Sequence, residues 1–156
     1  MPIPEHVFRA YDIRGRADAD LDDDLVERIG RAFVTLTDED RPRVAVGRDC
    51  RVSSPRIFAA LTRGLQAVGA EVLDLGVGPS PLTYFAAHHL APAGAIMITG
   101  SHNPPEDNGL KMMVGKRTLF GDDIQQLRRA CQDPPPAAAQ PGSIAAHALQ
   151  ADYIAA

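Results

Sequence analysis

The chain has 156 residues, the length of one ordinary domain with a substantial core and too little for two. Its formal net charge of −4 gives no reason to expect nucleic acid or an anionic membrane as a partner. No apolar run approaches the ~20 residues of a membrane span, and Met1-Pro2-Ile3-Pro4-Glu5 has neither the basic nor the apolar region of a secretion signal, so a cytoplasmic location is expected.

Val7 to Ile13 reads as an early strand or extended segment. Asp22, Asp23 and Asp24 then lead into Leu25, Ile29, Phe33 and Leu36 at helical spacing. Arg43 to Gly47 is a short apolar strand. Ser53-Ser54-Pro55 supplies a capping serine and a first-turn proline for a helix whose inward stripe is Ile57, Leu61, Leu65 and Val68, with Gly69 as its stop. Glu71 to Leu75 is a strand, Pro81 to Leu90 a helix and Gly94 to Thr99 a strand. Leu110 to Val114 returns as a strand with Leu110, Met112 and Val114 on one face and Lys111 and Met113 on the other. Gly121 to Cys131 is a helix with Ile124 and Leu127 inward.

Helices between strands imply parallel pairing with helices on both sides, an α/β class with three α/β/α layers and a mixed, mostly parallel sheet. The short link from Ser101 to Lys111 allows one antiparallel pair. Asp133 to Gly142 is a Pro/Ala linker, extended and semi-rigid. Ile144 to Ala156 reads as a last helix with Ile144, Leu149, Tyr153 and Ile154 as its apolar positions. The expected division is thus a main domain over 1–132, a linker over 133–143 and a terminal helix over 144–156 that leads toward a further domain.

Several patterns suggest chemistry less than they suggest structure. Gly76-Val77-Gly78-Pro79-Ser80-Pro81 lies between a strand and a helix, but Pro81 stands where a dinucleotide fingerprint needs its third glycine. The acidic run from Asp18 to Asp24 lacks the glycine and terminal glutamate of a calcium loop and suits a helix entry. His88 and His89 point about 100° apart on a helix, poor geometry for one metal. Cys50 and Cys131 have no metal-ligand spacing and are expected as free thiols.

Thr99-Gly100-Ser101-His102-Asn103-Pro104-Pro105 is different. It follows the apolar run Ala95-Ile96-Met97-Ile98, so a hydroxyl stands at the edge of a sheet, where open α/β folds place their sites. The prolines restrict their own φ and the residues before them, which makes the support stiff. No G-x-S-x-G elbow is present, and local pattern alone fits turn chemistry equally well. The surroundings favour anion handling. Phe8-Arg9-Ala10-Tyr11-Asp12-Ile13-Arg14-Gly15 and Gly109-Leu110-Lys111 bring cations, and Arg14 is suited to bidentate phosphate binding.

Four blocks, in order, carry a resemblance to a known family: F-R-A-Y-D-I-R-G at 8–15, V-G-R-D-C-R-V-S-S at 46–54, T-G-S-H-N-P-P at 99–105 and N-G-L-K at 108–111. The chain resembles the N-terminal domain of the α-D-phosphohexomutases, most closely their bacterial phosphomannomutase/phosphoglucomutase branch. Cys50 stands where relatives commonly have glycine.

The resemblance implies a phosphoserine at Ser101 that donates its phosphoryl group to a hexose phosphate. The resulting bisphosphate then returns its other phosphoryl group to the serine. It places His102, Lys111 and Arg14 around the transfer, Tyr11 on the sugar side, and a Ser101 phosphate oxygen on Mg²⁺. Glucose 1,6-bisphosphate, or a similar bisphosphate, is the implied phosphorylating activator. The other metal ligands, including an aspartate-rich loop, the sugar-recognition residues and the substrate-phosphate site belong to C-terminal domains that this chain lacks. The chain alone is therefore expected to bind the metal poorly and to lack turnover. A non-catalytic phosphate-binding or interaction module that kept the serine loop is the other reading. Intact Ser101, His102, Arg14 and Lys111 weigh against it.

Overall fold

In a computed structural model, which describes residues 2–156, the chain forms a seven-stranded mixed sheet between two layers of helices. The strands are β1 (Ile13–Arg16), β2 (Arg43–Arg48), β3 (Glu71–Val77), β4 (Gly94–Ile98), β5 (Asp107–Val114), β6 (Arg117–Thr118) and β7 (Ile144–Ala146). The helices are α1 (Asp23–Phe33), α2 (Ser54–Ala67), α3 (Ser80–His89), α4 (Asp122–Gln132) and α5 (Gln150–Ala155). Sheet order is β1-β5-β4-β2-β3-β7, with β6 beside β5. β2 pairs in parallel with β3 and β4, and β3 with β7; β5 runs antiparallel to β1, β4 and β6.

Alternation along the strands sorts the core into two faces. Val44, Val46, Val72, Ile96, Ile98, Leu110 and Met112 pack under α1, α2 and α4, against Ile29, Phe33, Ile57, Leu61, Leu65, Ile124 and Leu127. Ala45, Leu73, Leu75, Ala95 and Met113 face α3 with Leu82, Ala86 and Ala87. On the first side, α1 and α2 meet through two glycines. A Cβ on Gly64 would overlap the Glu27 carbonyl, and one on Gly30 the Leu61 carbonyl. Among the described residues no helix is long and apolar enough to cross a membrane.

Three local expectations need correction. Val7 to Ile13 is not a strand: Glu5–Val7 is a 3₁₀ turn, and residues 9–12 form a tight reversal closed by Arg9 N–H to Asp12 O at 2.9 Å. Buried Val7 and Phe8 anchor it, and β1 starts only at Ile13. Ser53 makes no capping bond; its hydroxyl accepts from Asn108 Nδ2 at 2.8 Å instead.

The helix expected over 144–156 is confined to Gln150–Ala155. Ile144–Ala146 forms β7 on the open edge of β3, where Val72 N–H donates to Ser143 O at 2.7 Å and His147 N–H to Asp74 O at 2.8 Å. Satisfying that exposed ladder outweighs the helix propensity of the alanines. Leu149 is buried as expected, whereas Ile144 and Ile154 are exposed. The Pro/Ala segment before β7 has no regular structure but is strapped down: Ala138 N–H donates to Ala67 O and Gly142 N–H to Gln66 O.

Candidate functional site

The connections leaving β2 and β4 diverge, since α2 carries the chain from β2 toward β3 while the loop after β4 carries it toward β5. The carboxyl ends of these neighbouring parallel strands therefore flank a topological switch point, where α/β sheets bind ligands. Asp49-Cys50-Arg51 leaves one strand there and Thr99-Gly100-Ser101 the other, joined by Asp49 N–H to Ile98 O at 2.9 Å.

Ser101 is exposed and adopts φ +55°, a left-handed conformation unusual for a residue other than glycine. Thr99 Oγ1 accepts its N–H at 2.9 Å. Asp49 Oδ2 accepts the Gly100 N–H at 3.1 Å, while Oδ1 takes the Ser54 hydroxyl at 2.6 Å and the Arg51 N–H at 3.1 Å. Burial by itself raises the Asp49 pKa, but these hydrogen bonds outweigh it and hold the carboxyl below its ordinary value.

Arg51 spans the loop from beneath. Its guanidinium donates to the carbonyls of Ser101 (3.1 Å), Asn103 (2.8 Å), Pro104 (2.5 Å) and Asp107 (3.0 Å). Fully buried Asn108 ties β5 to the start of α2 through the Ser53 and Ser54 hydroxyls.

The cations come from β1 and β5. Arg14 lies opposite Gly109 on β5, Lys111 is two residues further along that strand, and Asp12 stands at the end of the 9–12 reversal just before β1. Arg14, 7% exposed, donates to Gly100 O at 2.7 Å and to Asp12 Oδ2 at 2.8 Å. Lys111 Nζ stands 3.7 Å from the same Asp12 oxygen.

The structure thus brings Arg14 and Lys111 together and binds Arg14 to the serine loop. His102 is exposed beside Ser101 and Tyr11 is 71% exposed on the 9–12 reversal. Among the described residues neither joins this hydrogen-bonded group. Asp12, Asp49, Arg51 and Asn108 were not singled out by sequence. Each sits inside one of the four blocks, and Asp12 carried a further signal, a carboxylate two residues before Arg14. Clefts of about 250 and 380 Å³ elsewhere, one by the entry to α1 and one beside Val52 and Pro105, do not contain Ser101.

Residues 5–133 match the family described as phosphoglucomutase/phosphomannomutase, alpha/beta/alpha domain I. The chain is 45% identical over 126 residues to a phosphoglucomutase of Neisseria gonorrhoeae, covering 80% of this chain and 27% of that protein. It is 40% identical over 153 residues to a phosphomannomutase of Salmonella typhimurium, covering 94% and 33%. A crystal structure of a phosphoglucomutase/phosphomannomutase family protein from Burkholderia thailandensis superposes with a TM-score of 0.86 at 37% identity, over 97% of this chain and 35% of that one. The chain spans about a third or less of the length of these two relatives. With the four sequence blocks converging on one sheet edge, this chain belongs to the phosphoglucomutase/phosphomannomutase family and has the architecture of its α/β/α domain I.

Proposed function

We propose that this chain is the phosphoserine-bearing domain of a phosphohexomutase that interconverts hexose 1- and 6-phosphates through a bisphosphate. The observation that carries the reading is the exposed Ser101, mounted on a braced loop at the switch point with Arg14 bound to the loop. In the forward step the phosphorus–Oγ bond of phosphoserine breaks as a sugar hydroxyl oxygen bonds to phosphorus and loses its proton. In the return step the bond between the sugar's other phosphorus and its sugar oxygen breaks as Ser101 Oγ bonds to that phosphorus, the serine giving up its proton and the sugar oxygen gaining one.

Such transfer depends mainly on positioning and charge stabilisation. Arg14 and Lys111 help in proton transfer or charge stabilisation, His102 and Lys111 lie beside the transferring group, and Tyr11 lines the sugar side. Residues 1–132 form the phosphoserine domain in this reading, 133–143 the connecting strap, and 144–156 the lead toward further domains.

Bound Mg²⁺ would offset the roughly −1.5 to −2 charge of a phosphoserine. Among the described residues no group of three or more His, Cys, Asp or Glu side chains is placed to hold a metal. This chain's own donors therefore do not make a Mg²⁺ site, and a Ser101 phosphate oxygen would be a single ligand. The remaining ligands, the sugar contacts and turnover belong to the whole protein.

Intact mass measured after incubation with glucose 1,6-bisphosphate and Mg²⁺, with a relative's remaining domains supplied in trans, tests the reading. One phosphate is expected on Ser101 and none on Ser101→Ala, whose melting temperature stays close to the parent's. No uptake by the parent, or equal uptake by Ser101→Ala, overturns the assignment.

A further inference from the structure

The serine loop is rich in acceptors and poor in donors, because Pro104 and Pro105 have no N–H. Its carbonyls at Ser101, Asn103, Pro104 and Asp107 converge on one point, and converging oxygens repel unless a cation lies between them. Arg51 fills that point with its guanidinium. Gly100 leaves the room, since a Cβ there would overlap Arg51 Cζ. Asp49 steadies the other side, with Oδ2 3.4 Å from Arg51 Nε and accepting the Gly100 N–H.

We propose that Arg51 is the positioning residue of the Ser101 carrier: it sets the direction of the hydroxyl by templating the loop main chain and touches no reacting atom. The functional half of this inference rests on Ser101 being the phosphoryl carrier.

Three features make arginine specific here. The guanidinium is permanently charged, planar and offers five donors, whereas an ammonium offers three on a tetrahedral centre. The left-handed φ at Ser101 persists only where its surroundings over-determine it. Arg51 on the Ser101 carbonyl and Thr99 on its N–H do so from both sides. Arg51 also acts from the end of β2 on the loop after β4, so it locks the two edges of the switch point together. Arg14 holds the neighbouring carbonyl of Gly100, which also accepts the Asn103 N–H.

Arg51→Lys and Gly100→Ala disturb the same contact from opposite sides and are compared on this chain. Hydrogen exchange at the amides of Gly100, Ser101, Asn103 and Asp107 reports loop order without any phosphoryl donor. Both variants are expected to lose protection there by about tenfold or more, the worth of a hydrogen bond to a charged group, while α1 and α2 exchange as in the parent. With the remaining domains and glucose 1,6-bisphosphate, the saturated rate of Ser101 phosphorylation should fall on the order of 10²-fold, the scale of a small misplacement of the reacting group. The half-saturating bisphosphate concentration should stay nearly constant.

Unchanged exchange at the loop amides in both variants overturns the proposal. So does protection lost across the whole sheet, which would make Arg51 a general stabiliser. A parent chain that takes up no phosphate counts against the carrier reading alone, and the exchange pattern then decides by itself whether Arg51 templates the loop.

Discussion

A single oxygen, Oδ2 of Asp12, faces the Arg14 guanidinium at 2.8 Å and Lys111 Nζ at 3.7 Å. Two cations are thereby held near each other with much of their repulsion cancelled. Arg14 and Asp12 side chains are only 8% and 12% exposed, so removing the carboxylate leaves a buried charge without its partner. Asp12→Ala is expected to destabilise the chain by about 3 kcal/mol, read from chemical denaturation. A change below ~1 kcal/mol would place the pair among solvated surface bridges. Arg14 and Lys111 were legible from charge and motif, and so was the exposed serine. Asp12 was not, because its part in the group shows only once the fold brings Lys111 of β5 to within 3.7 Å of it. Arg51 was hidden for a related reason: its partners are main-chain carbonyls, which leave no signature in side-chain identity.

At the scale of elements, apolar periodicity located β2 to β5 and α1 to α4, since each has one face in the core. It failed where burial does not dictate the pattern. Residues 9–12 turn back on themselves, and β7 forms on an edge with all three of its residues exposed, so its alanines carry no alternation to read. Antiparallel pairing of β4 with β5 followed from the short link between them, and pairing of β5 with β1 needed the folded topology.

The α1–α2 crossing depends on Gly30 and Gly64, which let the two backbones approach to contact. Gly64→Ala inserts a methyl group against the Glu27 carbonyl and should separate the helices. A loss of about 1–3 kcal/mol is expected despite alanine's better helix propensity. For a chain of this size that is a fall of several degrees in melting temperature. An unchanged or higher melting temperature would show that the crossing has slack.

For the whole molecule, acid stability follows from carboxylates held below their ordinary values. At Asp49 burial opposes ionisation, but bonds from Ser54, Arg51 N–H, Gly100 N–H and Thr99 prevail; at Asp20 the Arg16 N–H is the main cause. A lowered folded pKa means that the unfolded chain binds more protons, so stability rises with pH through this range. The contribution is complete above the ordinary 3.8 and disappears as pH falls through the lower folded values. Stability measured by denaturant titration should therefore drop below about pH 4, and Asp49→Asn should flatten that drop while lowering stability at neutral pH. An equally steep decline in the variant would assign the acid sensitivity to other groups. Asp49 also accepts the Gly100 N–H, so the carboxylate that resists protonation is part of the bracing of the Ser101 loop.

Ser101 sits where an unconstrained backbone would prefer glycine, at φ +55°. Durability and chemistry thus oppose each other at one vertex of the fold. Selecting this domain for heat resistance alone would favour exchanging the alcohol for a hydrogen atom, easing about 1 kcal/mol of torsional tension and removing the exposed hydroxyl on which the proposed transfer depends.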